Sequence, residues 1–182
     1  DSKPVSPESR RKVLDAIQKL DFKPNELARS LVMKRSNLIG VVVKDIGIPY
    51  MAGIIRGIEE IGKMYKFDIL LSSSYGEEDS ELDTVQFMFT KQVDGIILVS
   101  EKTTERVVDT IKEHKLPFLI LDRIYEQSRI NTVDVDYEQA VQLIIEFLES
   151  MGHTRILHAG QKKDSRSGAE KFIAYREAMR TR

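Results

Sequence analysis

The sequence predicts an α/β protein built on a doubly wound parallel sheet, preceded by two short helices. Apolar runs at residues 38–43, 67–71, 95–99 and 118–121 are short enough for buried strands. The segments between them are amphipathic with helical period, the alternation expected of successive β-α-β units. The pattern begins at Leu38, after a stretch of different organisation and charge.

The composition sets outer limits. Of 182 residues, 41% are hydrophobic and 31% charged, as in ordinary globular proteins. No stretch approaches the ~20 apolar residues that cross a bilayer. No basic, apolar and small-residue leader suggests secretion, so a cytoplasmic protein is expected. With no cysteine, disulfides, thiolate metal sites and a cysteine nucleophile are excluded. The net charge of -1 hides an asymmetry: residues 1–36 hold nine Lys or Arg against five Asp or Glu, and the remainder 19 against 24. A basic leading segment points weakly to nucleic acid.

Ser6-Pro7-Glu8 reads as a helix start, because a serine oxygen can cap free amides and proline at the first position forfeits no hydrogen bond. Val13, Leu14, Ile17 and Leu20 share one face of this first helix. Pro24 disfavours a helical Lys23, and Asn25 can cap a second, short helix over residues 26–33. Helices of the sheet region carry Ile54, Ile55, Ile58 and Ile61, then Leu82, Val85 and Phe89, then Val107, Val108 and Ile111. Right-handed crossovers would place helices on both faces and a ligand crevice at the carboxyl ends of the strands. A further strand is expected over residues 130–135, a helix over 137–149, a strand over 156–159, a polar loop over 160–168 and a helix over 169–180.

The run from Val5 to Leu14, VSPESRRKVL, resembles the lactose/galactose repressor family of bacterial transcription regulators, as do Leu20, Phe22, Pro24-Asn25, Ala28-Arg29-Ser30-Leu31 and Ile39-Gly40-Val41 that follow. Ile58-Glu59, the segment KQVDGII at 91–97, DYEQA at 136–140 and Gly152-His153 look like its catabolite-control branch. The order and spacing of these motifs, over nearly the whole chain, make the resemblance specific. It implies a periplasmic-binding-protein-like core and divides the chain into a headpiece remnant (1–24), a hinge helix and linker (25–37), a proximal effector-binding subdomain (38–135) and an incomplete distal one (136–182). In that family a helix-turn-helix precedes the third headpiece helix, so most base readout is expected to lie outside these residues. The resemblance also implies a homodimer, operator DNA and a small effector, a sugar or sugar phosphate, as partners, with no cofactor and no enzymatic activity.

Effectors in the family bind between the subdomains, at the strand ends. Those positions hold Tyr50 and Met51 after the first strand, Ser72, Ser73 and Ser74 after the second, and Asp122-Arg123 after the fourth. A neighbouring carboxylate and guanidinium suit vicinal sugar hydroxyls, since one accepts and the other donates in fixed directions. Two departures stand out. Ile48 replaces the Asn or Asp common in sugar binders, and the arginine that opens the last helix aligns with Lys171, unless a slip of several residues offers Arg166.

Other chemistry finds little support. His114, His153 and His158 share no metal-ligand spacing, no phosphate-cradling glycine loop is present, and the acidic run EEDSE at 77–81 reads as a solvated helix start. A solute-binding protein of a transporter would need a signal peptide and no hinge helix. Control by a phosphorylated carrier protein, suggested by resemblance around Met64-Tyr65-Lys66, is a second regulatory alternative.

In the hinge, Leu27 and Leu31 lie on one face, Ala28 permits close approach, and Arg29, Lys34 and Arg35 can reach phosphates. By resemblance, Leu31 is the wedge that unstacks a base step in the operator minor groove, with Asn25 capping its helix. A helix shorter than about 12 residues is marginal alone in water, so the hinge is expected to order on DNA. Amide exchange checks this: residues 28–31 should be unprotected in the free protein and protected on operator.

Overall fold

The structure, a computed structural model, describes residues 5–22, 32, 35–100, 103–121, 130–160 and 165–180. The chain divides into two compact units, Asp1–Asn37 and Leu38–Arg182. The expected hinge helix and its Asn25, Leu27, Ala28, Arg29, Leu31 and Lys34 lie outside the described residues, as do Asp122 and Arg123.

In the first unit, α1 (Pro7–Lys19) starts as its sequence dictates: Ser6 accepts a hydrogen bond from the Ser9 amide at 3.2 Å, and Pro7 opens the first turn. Its end is a Schellman closure. The Phe22 amide donates to the Ile17 carbonyl and the Asp21 amide to that of Gln18, with Asp21 left-handed at φ 44°. Val13, Leu14 and Ile17 are exposed, and no residue of α1 is buried.

The second unit holds a five-stranded, all-parallel sheet in the order β2-β1-β3-β4-β5, formed by Leu38–Val43, Asp68–Ser73, Gly95–Val99, Phe118–Leu121 and Asn131–Val133 taken as β1 to β5. The connecting helices are α2 (Pro49–Met64), α3 (Glu78–Thr90) and α4 (Glu105–Glu113), followed after β5 by α5 (Tyr137–Ser150) and α6 (Arg166–Arg180). Strand periodicity sorts the core into two layers. Val41, Val43 and Val99 pack with Met51, Ile54, Ile55 and Ile58 of α2. Val42, Ile96, Leu98 and Ile120 pack with Val85 and Met88 of α3 and with Val107, Val108 and Ile111 of α4. Helices thus cover both faces, the doubly wound arrangement expected.

Three boundaries differ from the sequence reading. Strand β2 begins at Asp68 and runs on to Ser73, because its pairing with β1 continues through Val42 with Ser72 and Val43 with Ser73. Strand β5 is limited to Asn131–Val133, its register with β4 covering Leu119 to Leu121. Residues 156–159 form no strand. A strand exists by pairing, and among the described residues no chain runs beside them; Leu157 is 90% exposed. Helix α6 also starts earlier than expected, since the Ser165 hydroxyl accepts from the Gly168 amide at 3.0 Å and so caps it.

Met88 is fully buried beneath β1 and close to Gly40, where an added Cβ would lie 2.9 Å from its sulfur. Met88→Ala is expected to destabilise the domain by about 2–5 kcal/mol, read as a lowered urea midpoint with an unchanged slope.

Candidate ligand site

Every β-to-α connection leaves the carboxyl edge of the sheet, so polar side chains collect there. After β1, the Asp45 carboxylate accepts from the Gly47 amide at 2.8 Å, shaping the turn into α2. Tyr50, in the first turn of α2, is 54% exposed, whereas its neighbour Met51 is buried in the core on the α2 face. Ser72 and Ser73 lie within β2 rather than beyond it; only Ser74 follows the strand, buried, its hydroxyl donating to the Val43 carbonyl at 3.4 Å. Arg35, alone of the expected DNA-contacting residues, is among those described, and is exposed.

The acidic start of α3 is only partly solvated. Glu81 is buried and accepts a 2.8 Å hydrogen bond from the buried Thr103 hydroxyl, 22 residues away. Thr104 donates to Glu78 at 3.1 Å, and Arg106 to Asp79 at 3.3 Å. These contacts tie the first turns of α3 and α4 together at the strand ends. The sequence placed Glu81 in a solvated patch; its pattern carried no sign of Thr103 as a partner.

A cavity of 960 Å³ opens where β5 leaves the sheet, lined by Thr132, the stretch Asp134 to Glu138, Gln142 of α5, and Arg166, Glu170, Ile173 and Glu177 of α6 among others. Asp136 caps α5 by accepting from the Gln139 amide at 2.9 Å. The Arg166 guanidinium donates through Nη2 to Asp134 at 2.7 Å and through Nε to Glu170 at 2.7 Å. Desolvation disfavours the charged guanidinium, but its hydrogen bonds and charge contacts with Asp134 and Glu170 outweigh it, and the Arg166 pKa is raised. Lys171 does not itself line the cavity; its ammonium lies over the ring of Tyr137, which does, 4.5 Å from the centroid.

Two of the three histidines stack on aromatic rings, and the third, His153, is exposed. His114 stacks on Phe89 with ring centroids 3.8 Å apart, and His158 on Tyr175 at 5.2 Å. Among the described residues no group of His, Cys, Asp or Glu could hold a metal ion, and no helix is long and apolar enough to cross a membrane.

A parallel sheet covered on both faces, with a cavity at its carboxyl edge, is the arrangement of a family whose model matches residues 36–181: periplasmic binding proteins and sugar binding domain of the LacI family. The chain belongs to that family. It is 37% identical over 176 residues to catabolite control protein A of Priestia megaterium, an alignment covering 96% of this chain and 53% of that protein. With the Streptococcus mutans protein of the same name it shares 30% over 179 residues, covering 98% and 54%. The chain therefore spans about half the length of these relatives. A lac repressor dimer bound to operator and the anti-inducer ONPF superposes with a TM-score of 0.82 at 22% identity, covering 99% of this chain and 55% of that one, which shows the shared fold. The transcription regulator CcpA of Lactococcus lactis gives 0.66 at 27% identity, covering 79% and 53%.

Within the LacI-family core, Thr103→Val leaves Glu81 without one of its buried donors. A loss of roughly 1–3 kcal/mol is expected in urea unfolding.

Proposed function

We propose that this chain is the effector-sensing part of a cytoplasmic DNA-binding transcription regulator, a repressor of carbohydrate-utilisation genes and not an enzyme, that takes a small neutral sugar-like effector. The carrying observation is the charge of the 960 Å³ cavity. Its lining includes the carboxylates of Asp134, Asp136, Glu138, Glu170 and Glu177, and its guanidinium, Arg166, already serves two of them. Such a wall accepts hydroxyl donors and repels phosphate, so a neutral polyol suits it better than a sugar phosphate. In this reading residues 38–135 and 136–182 form the proximal and distal walls. The proposed proximal contacts Tyr50, Met51, Ser72 and Ser73 do not line the cavity, so with Asp122 and Arg123 they are assigned to the effector by the family resemblance alone.

The DNA-binding part rests on residues 1–37, with Arg29, Lys34 and Arg35 on phosphates and Leu31 as the minor-groove wedge. Homodimerisation is proposed across α2 and the edge strand β2. There a 480 Å³ groove is lined by Ile54, Ile58, Ile61, Tyr65, Phe67 and Ile69, and Met64 is exposed beside it. A two-fold protein matches a palindromic operator. The same exposed Met64-Tyr65-Lys66 corner favours one second reading, control by a phosphorylated carrier protein.

The test is operator affinity of the full-length regulator against neutral sugars, sugar phosphates and a phosphorylated carrier. A neutral sugar is expected to shift Kd by about 5- to 150-fold, with its phosphate ester inactive. A shift by the phosphoprotein alone would sink the sugar reading and support the second.

A further inference from the structure

An arginine at the first position of a helix opposes the helix dipole, which favours acidic residues there. Arg166 holds that position in α6, directly after the capping Ser165. What makes the placement favourable is a carboxylate from outside the helix. Asp134, 32 residues earlier, has a side chain only 8% exposed and receives the guanidinium at 2.7 Å. A carboxylate so buried needs a charged or hydrogen-bonding partner. Its second oxygen accepts from the Val135 amide at 2.8 Å, fixing the carboxylate to the bend between β5 and α5. On the other side Glu170, one turn along α6, holds the guanidinium by its Nε.

The remaining ion pairs among the described residues, those without Arg166, lie on the exposed surface, and most join neighbours on one helix. Exposed pairs of that kind contribute little. The Asp134–Arg166 pair differs in burial, and it crosses from the end of the sheet to a helix that follows much later in the chain. The sequence between them passes through all of α5.

We propose that Arg166 is the positioning residue of the cavity, tying the first turn of α6 to the β5–α5 bend through Asp134, so that this wall is assembled by charge. The tie gains its functional meaning from the ligand reading of the cavity, but it exists without ligand and is tested without one. Asp134 lies directly after β5 and Arg166 opens α6, so the pair joins this wall of the cavity to the end of the sheet.

Amide exchange of the 182-residue chain, without DNA or sugar, decides it. Asp134→Asn is expected to speed exchange at residues 167–172 by at least about tenfold, while β1 stays protected. The reversed pair, Asp134→Arg with Arg166→Asp, is expected to return those rates to within about threefold of the parent, which a packing role would not do. Unchanged exchange in Asp134→Asn overturns the proposal, as does a reversed pair no slower than the single variant. If β1 also loses protection in Asp134→Asn, Arg166→Lys is read instead. It keeps the charge without the planar fork, so intermediate rates support the tie and parental rates overturn it. Failure here would leave the regulator reading standing, and failure of operator control would leave the tie standing.

Discussion

Strand β1 is hydrogen-bonded on both edges, to β2 and to β3, and covered on both faces. Val41, Val42 and Val43 are at most 1% exposed. A parallel strand in this position cannot leave a face to water, so helices must lie on each side, and each must return the chain to the amino edge of the sheet. Period-2 alternation then assigns neighbours: Val41 and Val43 to α2, Val42 to α3 and α4. Gly40 shares the face of Val42, and its missing Cβ is what admits Met88 so closely. The same constraint gathers the strand-to-helix connections at the carboxyl edge, where Asp45, Ser74, Thr103 and Asp136 shape the turns and helix starts. The location of the cavity thus follows from how β1 is buried.

Residues 38–43 and 95–99 were legible as strands because burial on both faces writes itself into the sequence as an unbroken apolar run. Where pairing decides, the pattern falls short. Ser72 and Ser73 look like loop residues, yet β1 carries them into the sheet. Residues 156–159 look like a strand, yet among the described residues no neighbour draws them in. Caps behave similarly. Ser6 was visible as a helix start by type and position, whereas the sequence reading named no cap for α5, where Asp136 serves, and left Ser165 inside a polar loop. Glu81 shows the harder case. Its burial depends on Thr103, which no local period links to it.

The cavity was legible only in outline. Family resemblance placed an arginine or lysine near the start of the last helix without choosing between Arg166 and Lys171, because five residues of slip are well within what a single sequence permits. Three dimensions separate them by environment: Arg166 meets two carboxylates at the cavity, and Lys171 lies over Tyr137. The acidity of the wall was equally hidden. Asp134, Asp136 and Glu138 come from one stretch, Glu170 and Glu177 from another, and neither is conspicuous alone.

The fold tolerates much more change than the chemistry it frames. At 22% identity to the lac repressor structure, the backbone still superposes with a TM-score of 0.82, because a core of Val, Ile, Leu and Met specifies layers by size and period and only loosely by identity. Ligand recognition has no such latitude, since one polar group misplaced or missing changes what can be bound. Ile48 illustrates the consequence. It stands where sugar-binding relatives commonly place an amide or carboxylate, makes no side-chain cap for α2, and packs on the α2-side core. That corner therefore adds apolar contact where it could have added a directed hydrogen bond. Polar groups that line the cavity, Asp134, Asp136, Arg166 and Glu170, come instead from the β5–α5 bend and from α6.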